Sequence, residues 1–277
     1  MYRLLALDID GTLVNSRDEV SPATAEALRR ASAAGLRIVL ATGRRYSRTL
    51  PLVTTLGLDA PLVTASGALV KRPSDHFTLY QAELSRPLLC GALAILGESG
   101  YEPLLYADTY HHGFDFFCVR TDVEQPELAE YLAKNTGCHR LYPELMTDPP
   151  PGVFAGFTMG TRAQMLELAN LLQRRLPDQL DTHVLRSPFY HGYMCEIAPR
   201  GATKWSAVRR LAEDWQIAPD EICAAGDDVN DLAMVREAGL GVAMGNAVDE
   251  LKAAADRIAP THDEDGIVQV VEWALGK

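Results

Sequence analysis

What this 277-residue chain lacks bounds its chemistry before any motif is considered. Its five cysteines (Cys90, Cys118, Cys138, Cys195, Cys223) include no CxxC pair. An odd, scattered set makes neither a zinc knuckle nor a disulfide framework, so reduced and mostly buried thiols are expected. Basic residues are outnumbered, 26 Lys and Arg against 37 Asp and Glu, for a net charge of −11. That balance argues against a nucleic-acid partner and against a basic patch for a membrane surface. No apolar run approaches the roughly 18 residues that a membrane span needs. The first such run, Leu4 to Leu7, is broken by Asp8 before it could serve as a secretory signal, so a cytoplasmic location is expected. Repeats and low-complexity tracts are absent too.

What is present alternates. Leu4 to Ile9 reads as a short apolar strand, and Ser21-Pro22 opens a helix that Gly35 closes. LRIVLAT (36–42) is a second strand. A helical stretch from near Arg44, which Pro51 should break or kink, leads to a third strand, PLVTASG (61–67). Continuous apolar strands separated by helices predict an α/β fold with a parallel sheet covered on both faces. From about Ser85 to Tyr190 the texture changes to aromatics, histidines and short strand pairs, predicting an inserted α+β unit with helices on one face of an antiparallel sheet. After Pro199 the first texture returns. The expected domains are therefore 1–84 plus 191–277 as the α/β core, and 85–190 as the insertion.

In parallel sheets ligands bind at the carboxyl ends of the strands. Asp8, Thr42 and Ser66 each fall at such an end, and GDDVND (226–231) follows another strand. Asp8, Asp10, Asp227 and Asp231 would converge on that edge, with Asp8 and Asp10, two apart, sharing a strand face. Two unit charges about 4 Å apart repel by roughly 4 kcal/mol at an effective dielectric of 20, so the cluster calls for a counter-ion. Hard oxygen donors, with no Cys or His near them in sequence, suit Mg²⁺ better than zinc. With Lys204, such an ion would make the site locally cationic and let a phosphate approach an acidic protein. Thr42 and the amides around Gly43, at a strand-to-helix turn, are placed to bind it.

DIDGT (8–12), a strand-ending TG (42–43), a downstream lysine and GDDxxND in that order resemble the haloacid dehalogenase superfamily. The large insertion and the ending DEDGIV (263–268) resemble its Cof-type branch, which has a type IIB cap. The resemblance implies a Rossmann-like core with that cap inserted, and a Mg²⁺-dependent phosphatase of small phosphomonoesters such as sugar phosphates or phosphorylated cofactor precursors. It implies that Asp8 forms an aspartyl-phosphate and that Asp10 handles the protons. It implies that Mg²⁺ is held by the Asp8 side chain, the Asp10 carbonyl and Asp227. Thr42, Gly43, Lys204 and Asn230 would bind the phosphoryl group, and Asp231 would orient Lys204 or a metal-bound water. Two positions depart from the pattern. Ser66-Gly67-Ala68 stands where Asn-Gly-Ala is commoner, and Trp205 stands where glycine is common and is expected to crowd the helix start.

Two other functions share these residues. A phosphomutase would use the same Asp8 intermediate but return the phosphoryl group to a sugar. A non-enzymatic phosphoacceptor switch would need neither Asp10 nor an insertion of about a hundred residues. His111 and His112 point to opposite faces in a strand, or to solvent in a loop, and are not expected to bind metal. Arg44 and Arg45 fit a surface role and a substrate role equally well.

Overall fold

The computed structural model describes residues 2–186 and 190–276. The chain divides into two compact units, one holding the residues up to Tyr80 and from Thr203 onward, the other Gln81–Ala202.

In the first unit the chain runs β1 (Leu4–Asp8), α1 (Pro22–Ala33), β2 (Arg37–Ala41), α2 (Tyr46–Leu56), β3 (Leu62–Thr64), β4 (Leu69–Lys71) and β5 (Thr78–Gln81), whose last residue begins the second unit. The second unit contains α3 (Arg86–Glu98), β6 (Leu104–Ala107), β7 (Phe116–Cys118), α4 (Pro126–Lys134), β8 (His139–Leu141), β9 (Val153–Gly160), α5 (Arg162–Arg175), β10 (Leu180–Arg186) and β11 (Tyr193–Pro199). The chain then returns with α6 (Lys204–Asp214), β12 (Ile222–Gly226), α7 (Leu232–Glu237), β13 (Leu240–Ala243), α8 (Asp249–Ala254), β14 (Arg257–Ile258) and α9 (Gly266–Ala274).

The first sheet has the order β14-β13-β12-β1-β2-β3-β4-β5. It is parallel from β14 to β3, and β4 turns back antiparallel on β3. Leu4, Leu5, Ala6 and Leu7 are all fully buried, so both faces of β1 are covered, as an unalternating apolar strand requires. On one face α6 packs Trp205, Val208 and Leu211 against Leu4, Ala6 and Val39. Adjacency of β1 to β2 and β12 brings the ends of three strands, at Asp8, Ala41 and Gly226, to one edge.

Helix α2 runs unbroken through Pro51, which sits on its solvent face. Proline's missing N–H and its ring cost a helix most when the neighbouring carbonyl is also buried, and here solvent can serve it. Trp205 does not crowd α6: its ring is buried in the core, its Nε1 donates to Glu237 (2.6 Å), and the Thr203–Ser206 capping box is intact.

The second sheet has the order β10-β11-β9-β6-β7-β8 and is antiparallel apart from the β7–β8 pair. Its strand β11 falls in the span 191–277 that the sequence reading gave to the core. Seven residues of β11 pair with β10 and five with β9, so the ladder assigns it to the inserted unit. Helices also cover both faces, not one. Leu105 and Phe117 pack with α3 and α5, while Phe116, on the alternate face, meets Tyr131 of α4 with ring centroids 5.8 Å apart. The aromatics Tyr106, Phe114, Phe116 and Phe117 are therefore core. Among the described residues no helix is long and apolar enough to cross a membrane.

Candidate active site

The site lies where β1 ends. The chain leaves the strand at Asp8 and enters a single wide turn, Ile9–Leu13, closed by Val14 N–H donating to the Ile9 carbonyl (3.0 Å). Gly11 makes that turn possible: its φ is +72°, and a Cβ there would collide with the Asp227 carboxylate. Because the strand stops at Asp8, Asp8 and Asp10 do not share a strand face as their spacing predicts. Their carboxylates take different partners, Asp8 bonding Lys204 and Asp10 bonding Arg44, although the charge of Asp10 still adds to the upward push on Asp8.

Asp8 is buried and faces the acids. Lys204 Nζ donates to Asp8 Oδ1 (2.6 Å) and to Asp231 Oδ1 (2.8 Å), and all three residues are at most 3% exposed. The first residue of α6 reaches this depth because Gly67 lies beneath it. Gly67 has φ +109°, and any Cβ there would strike the Thr203 carbonyl. Asp231 is in turn fixed by the Asp227 and Asp228 amides, which donate to its Oδ2 (3.1 and 3.2 Å). Ligand oxygens of Asp8, Asp227 and Asp231 all lie within 4.8 Å of one another.

Burial is the main force on these charges. It pushes the Asp8 carboxyl well above the ordinary carboxylate range, aided by the nearby Asp231 and opposed by Lys204. It pushes Asp227 up to about 7, again with Asp231 adding to the effect. Burial works against the charge on Lys204 as well, but Asp231 and Asp8 outweigh it and hold the ammonium above the ordinary lysine range. Three clustered carboxylates against one lysine leave an excess of negative charge. The buried side-chain oxygens Thr12 Oγ1 and Asn230 Oδ1 have no protein hydrogen-bond partner. An all-oxygen donor set with surplus negative charge fits a hard divalent cation such as Mg²⁺.

Asp10 has a different set of partners. Its Oδ1 accepts from Arg44 Nε (3.0 Å) and Nη2 (2.6 Å), its Oδ2 accepts from Arg44 Nε (2.9 Å), and Thr42 Oγ1 lies 3.4 Å from Oδ2. Thr42 is wholly buried, its amide bonded to the Val63 carbonyl (2.8 Å), while Gly43 is exposed. Asn230 is half-buried on the turn after β12, between Asp227 and Asp231. Ser66 lies at the end of β3 in a left-handed conformation (φ 55°), its amide donating to the Thr42 carbonyl (3.1 Å). The structure thus brings Asp8, Lys204, Asp227 and Asp231 together and sets Thr42 beside Asp10. Arg44, which by sequence fits a surface role and a substrate role equally well, is the ion-pair partner of Asp10; no periodicity marks a residue just past a strand end for that role.

His111 and His112 stand on an exposed 3-10 turn, Tyr110–His112, in the inserted unit. The cysteines are all free, and burial pushes the thiols of Cys118, Cys195 and Cys223 up to about 11, 12 and 12, which suits inert packing residues and not nucleophiles.

The haloacid dehalogenase-like hydrolase family matches this chain over residues 5–271. The chain belongs to that family. This hydrolase is 28% identical over 292 residues to the phosphatase YwpJ of Bacillus subtilis, covering 99% of this chain and 100% of the relative. It is 30% identical over 254 residues to the HMP-PP phosphatase of Serratia proteamaculans, covering 91% and 87%. Among solved structures it is similar to a haloacid dehalogenase-like hydrolase from Bacteroides thetaiotaomicron, with a TM-score of 0.80, 28% identity and 99% of each chain covered. The α/β core with its inserted α+β unit is therefore the fold of this hydrolase family.

Proposed function

We propose that this hydrolase is a Mg²⁺-dependent phosphatase of small soluble phosphomonoesters, working through an aspartyl-phosphate on Asp8. The observation that carries the reading is the buried Lys204 joining Asp8 to Asp231, beside Asp227 and at the edge where β1, β2 and β12 end. The names of the relatives support the substrate class, in particular one named for HMP-PP and one for 5-amino-6-(5-phospho-D-ribitylamino)uracil. Sugar phosphates and phosphorylated cofactor precursors are the compounds to test first. The inserted unit is read as a type IIB cap, and a reducing, cytoplasmic compartment suits the five free thiols.

Asp8, Asp227 and the Asp10 carbonyl are the groups that would hold Mg²⁺. When bound, the ion supplies positive charge against the buried carboxylates and the phosphate oxygens. Asp8 attacks phosphorus, a P–O(Asp) bond forms, and the P–O bond to the alcohol breaks. The leaving oxygen takes a proton from Asp10. In the second half a water gives its proton to Asp10 and attacks the same phosphorus, so that inorganic phosphate leaves and Asp8 is restored. Lys204, Thr42, Asn230 and the Gly43 amide hold the phosphoryl oxygens, and this is mainly charge stabilisation and positioning. Asp231 keeps Lys204 aimed.

A phosphate-release screen over a panel of sugar phosphates and cofactor precursors, with Mg²⁺ and with Asp8→Asn as the blank, tests the reading. Release from some panel members by the parent protein alone supports it. Release by Asp8→Asn at a similar rate, or by neither protein, contradicts it.

A further inference from the structure

We infer that Asp18, acting through Arg44, is a positioning residue for the Asp10 carboxylate. The inference rests on the phosphatase reading above and deepens it at a place no motif marks.

Asp10 needs something to hold it. Its side chain is 42% exposed and stands in a turn, so packing alone does not select one rotamer. Arg44 provides the grip, donating from Nε and Nη2 to both carboxylate oxygens. A guanidinium fork binding a carboxylate in this way fixes direction as well as distance. The Arg44 side chain is itself only 7% exposed. Its backbone is tied on both sides, the amide to Thr42 Oγ1 (3.0 Å) and the carbonyl to the Ala65 amide (3.0 Å).

The same Nη2 that donates to Asp10 also donates to Asp18 Oδ1, so Asp18 holds the end of the guanidinium. Asp18 Oδ2 lies 3.5 Å from Arg48 Nη2, so that carboxylate spans two arginines of the α2 region. The loop carrying Asp18 is built to present it. Asn15 Oδ1 accepts from the amides of Arg17 (2.9 Å) and Glu19 (3.1 Å). The Asn15 amide donates to the Glu19 carbonyl (2.9 Å), and the Asp18 amide to the Asn15 carbonyl (2.9 Å). Asp18 itself adopts φ 62°, a left-handed conformation that Asp tolerates better than most residues. A closed loop thus holds Asp18, Asp18 holds Arg44, and Arg44 holds Asp10.

The consequence lies in one half of the reaction. General acid–base groups act only when held within hydrogen-bond reach and in line, and a displacement of about 1 Å can cost about 100-fold. Nitrophenolate is a good leaving group that departs without a proton. With p-nitrophenyl phosphate, transfer to Asp8 therefore needs little from Asp10, while attack of water on the aspartyl-phosphate still needs its base. Loss of the clasp should slow the second half alone.

The test is rapid-mixing kinetics on Arg44→Ala and Asp18→Asn with p-nitrophenyl phosphate and Mg²⁺, with thermal melting alongside. Asp18→Asn changes one partly exposed loop side chain and keeps its size, so it reports even if Arg44→Ala folds poorly. Steady-state turnover should fall about 100-fold in Arg44→Ala and about fivefold in Asp18→Asn. First-turnover nitrophenolate release should stay within about threefold of the parent in both, so that a burst near one equivalent per active site appears. Arg44→Lys, which keeps a single donor, should fall between the parent and Arg44→Ala. An equal fall in first-turnover and steady-state rates overturns the inference, because Arg44 would then serve phosphate binding or transfer. Unchanged turnover in both variants overturns it too. Failure of the parent protein to hydrolyse any phosphomonoester removes the phosphatase reading and the inference with it, and that result is visible before any variant is made.

Discussion

Lys204 Nζ sits 2.6 Å from Asp8 and 2.8 Å from Asp231, a single cation donating to two carboxylates with almost no solvent around any of them. Buried ion pairs are costly to break from one side only, because the surviving charges keep their desolvation penalty. Lys204→Met should destabilise the protein by about 3–5 kcal/mol and abolish phosphate release. Denaturant unfolding checks the first part. A stability change under about 1 kcal/mol would mean that Asp8 and Asp231 find other partners.

Asp227 makes the stability of the metal-free protein depend on pH. Its folded value is raised to about 7 from an ordinary 3.8. Between those values the folded state binds more protons than the unfolded state, so stability falls as pH rises from about 4 to about 7 and stays low above it. Mg²⁺ should restore that loss. Thermal melting with and without Mg²⁺ should show a larger metal-induced rise at pH 8 than at pH 5. Asp227→Asn should melt higher than the parent in chelator at pH 8, by on the order of 1–4 kcal/mol, while losing activity. A lower melting point for Asp227→Asn would contradict this.

Gly67 lets α6 begin where Lys204 can reach Asp8. Gly67→Ala meets both an unfavourable φ of +109° and the Thr203 carbonyl, so the helix start must move. About 2 kcal/mol or more of stability should be lost, with turnover down at least about tenfold as Lys204 shifts. Parent-like activity would show that Lys204 is placed by something else.

Ser66 occupies a left-handed conformation (φ 55°) that Asn adopts more readily. Ser66→Asn should therefore stabilise the protein slightly, by about 0.5 kcal/mol, in thermal or denaturant unfolding. A loss of similar size would mean that the contacts of the Ser66 hydroxyl outweigh backbone preference.

The first sheet was readable because its strands are apolar on both faces: Leu4–Leu7, Ile38–Ala41 and Leu62–Val63 have one assignment each. The convergence of Asp8, Asp227 and Asp231 was readable because strand ends meet at one edge in such sheets, whereas Lys204, the first residue of a helix, is placed only by its position in the family's motif order. The separate partners of Asp8 and Asp10 were not, since spacing shows period but not where a strand stops. The short strand β4 carries too few residues to show alternation, so its antiparallel pairing with β3 is not legible in the sequence. Strand β11, within GYMCEIAP in the sequence, reads as the second member of a strand pair that closes the inserted texture at Pro199, and its ladder with β10 and β9 moves the domain boundary from 190 to beyond it. The clasp of Asp10 by Arg44 and Asp18 joins Arg44 to residues 34 and 26 positions away, in ways that only the folded turn creates, since Asp10 and Asp18 lie on one loop and Arg44 on another.

The covalent intermediate is the centre of the account, and it can be located directly. The parent protein, quenched during turnover of a phosphomonoester with Mg²⁺, is treated with borohydride, which reduces an acyl-phosphate to an alcohol. Peptide mass mapping then reads which carboxylate was phosphorylated. The account predicts homoserine at position 8 in the parent, and none when Mg²⁺ is chelated or in Asp8→Asn. Modification of a different carboxylate, or full turnover with residue 8 unmodified under conditions that trap acyl-phosphates, would contradict it.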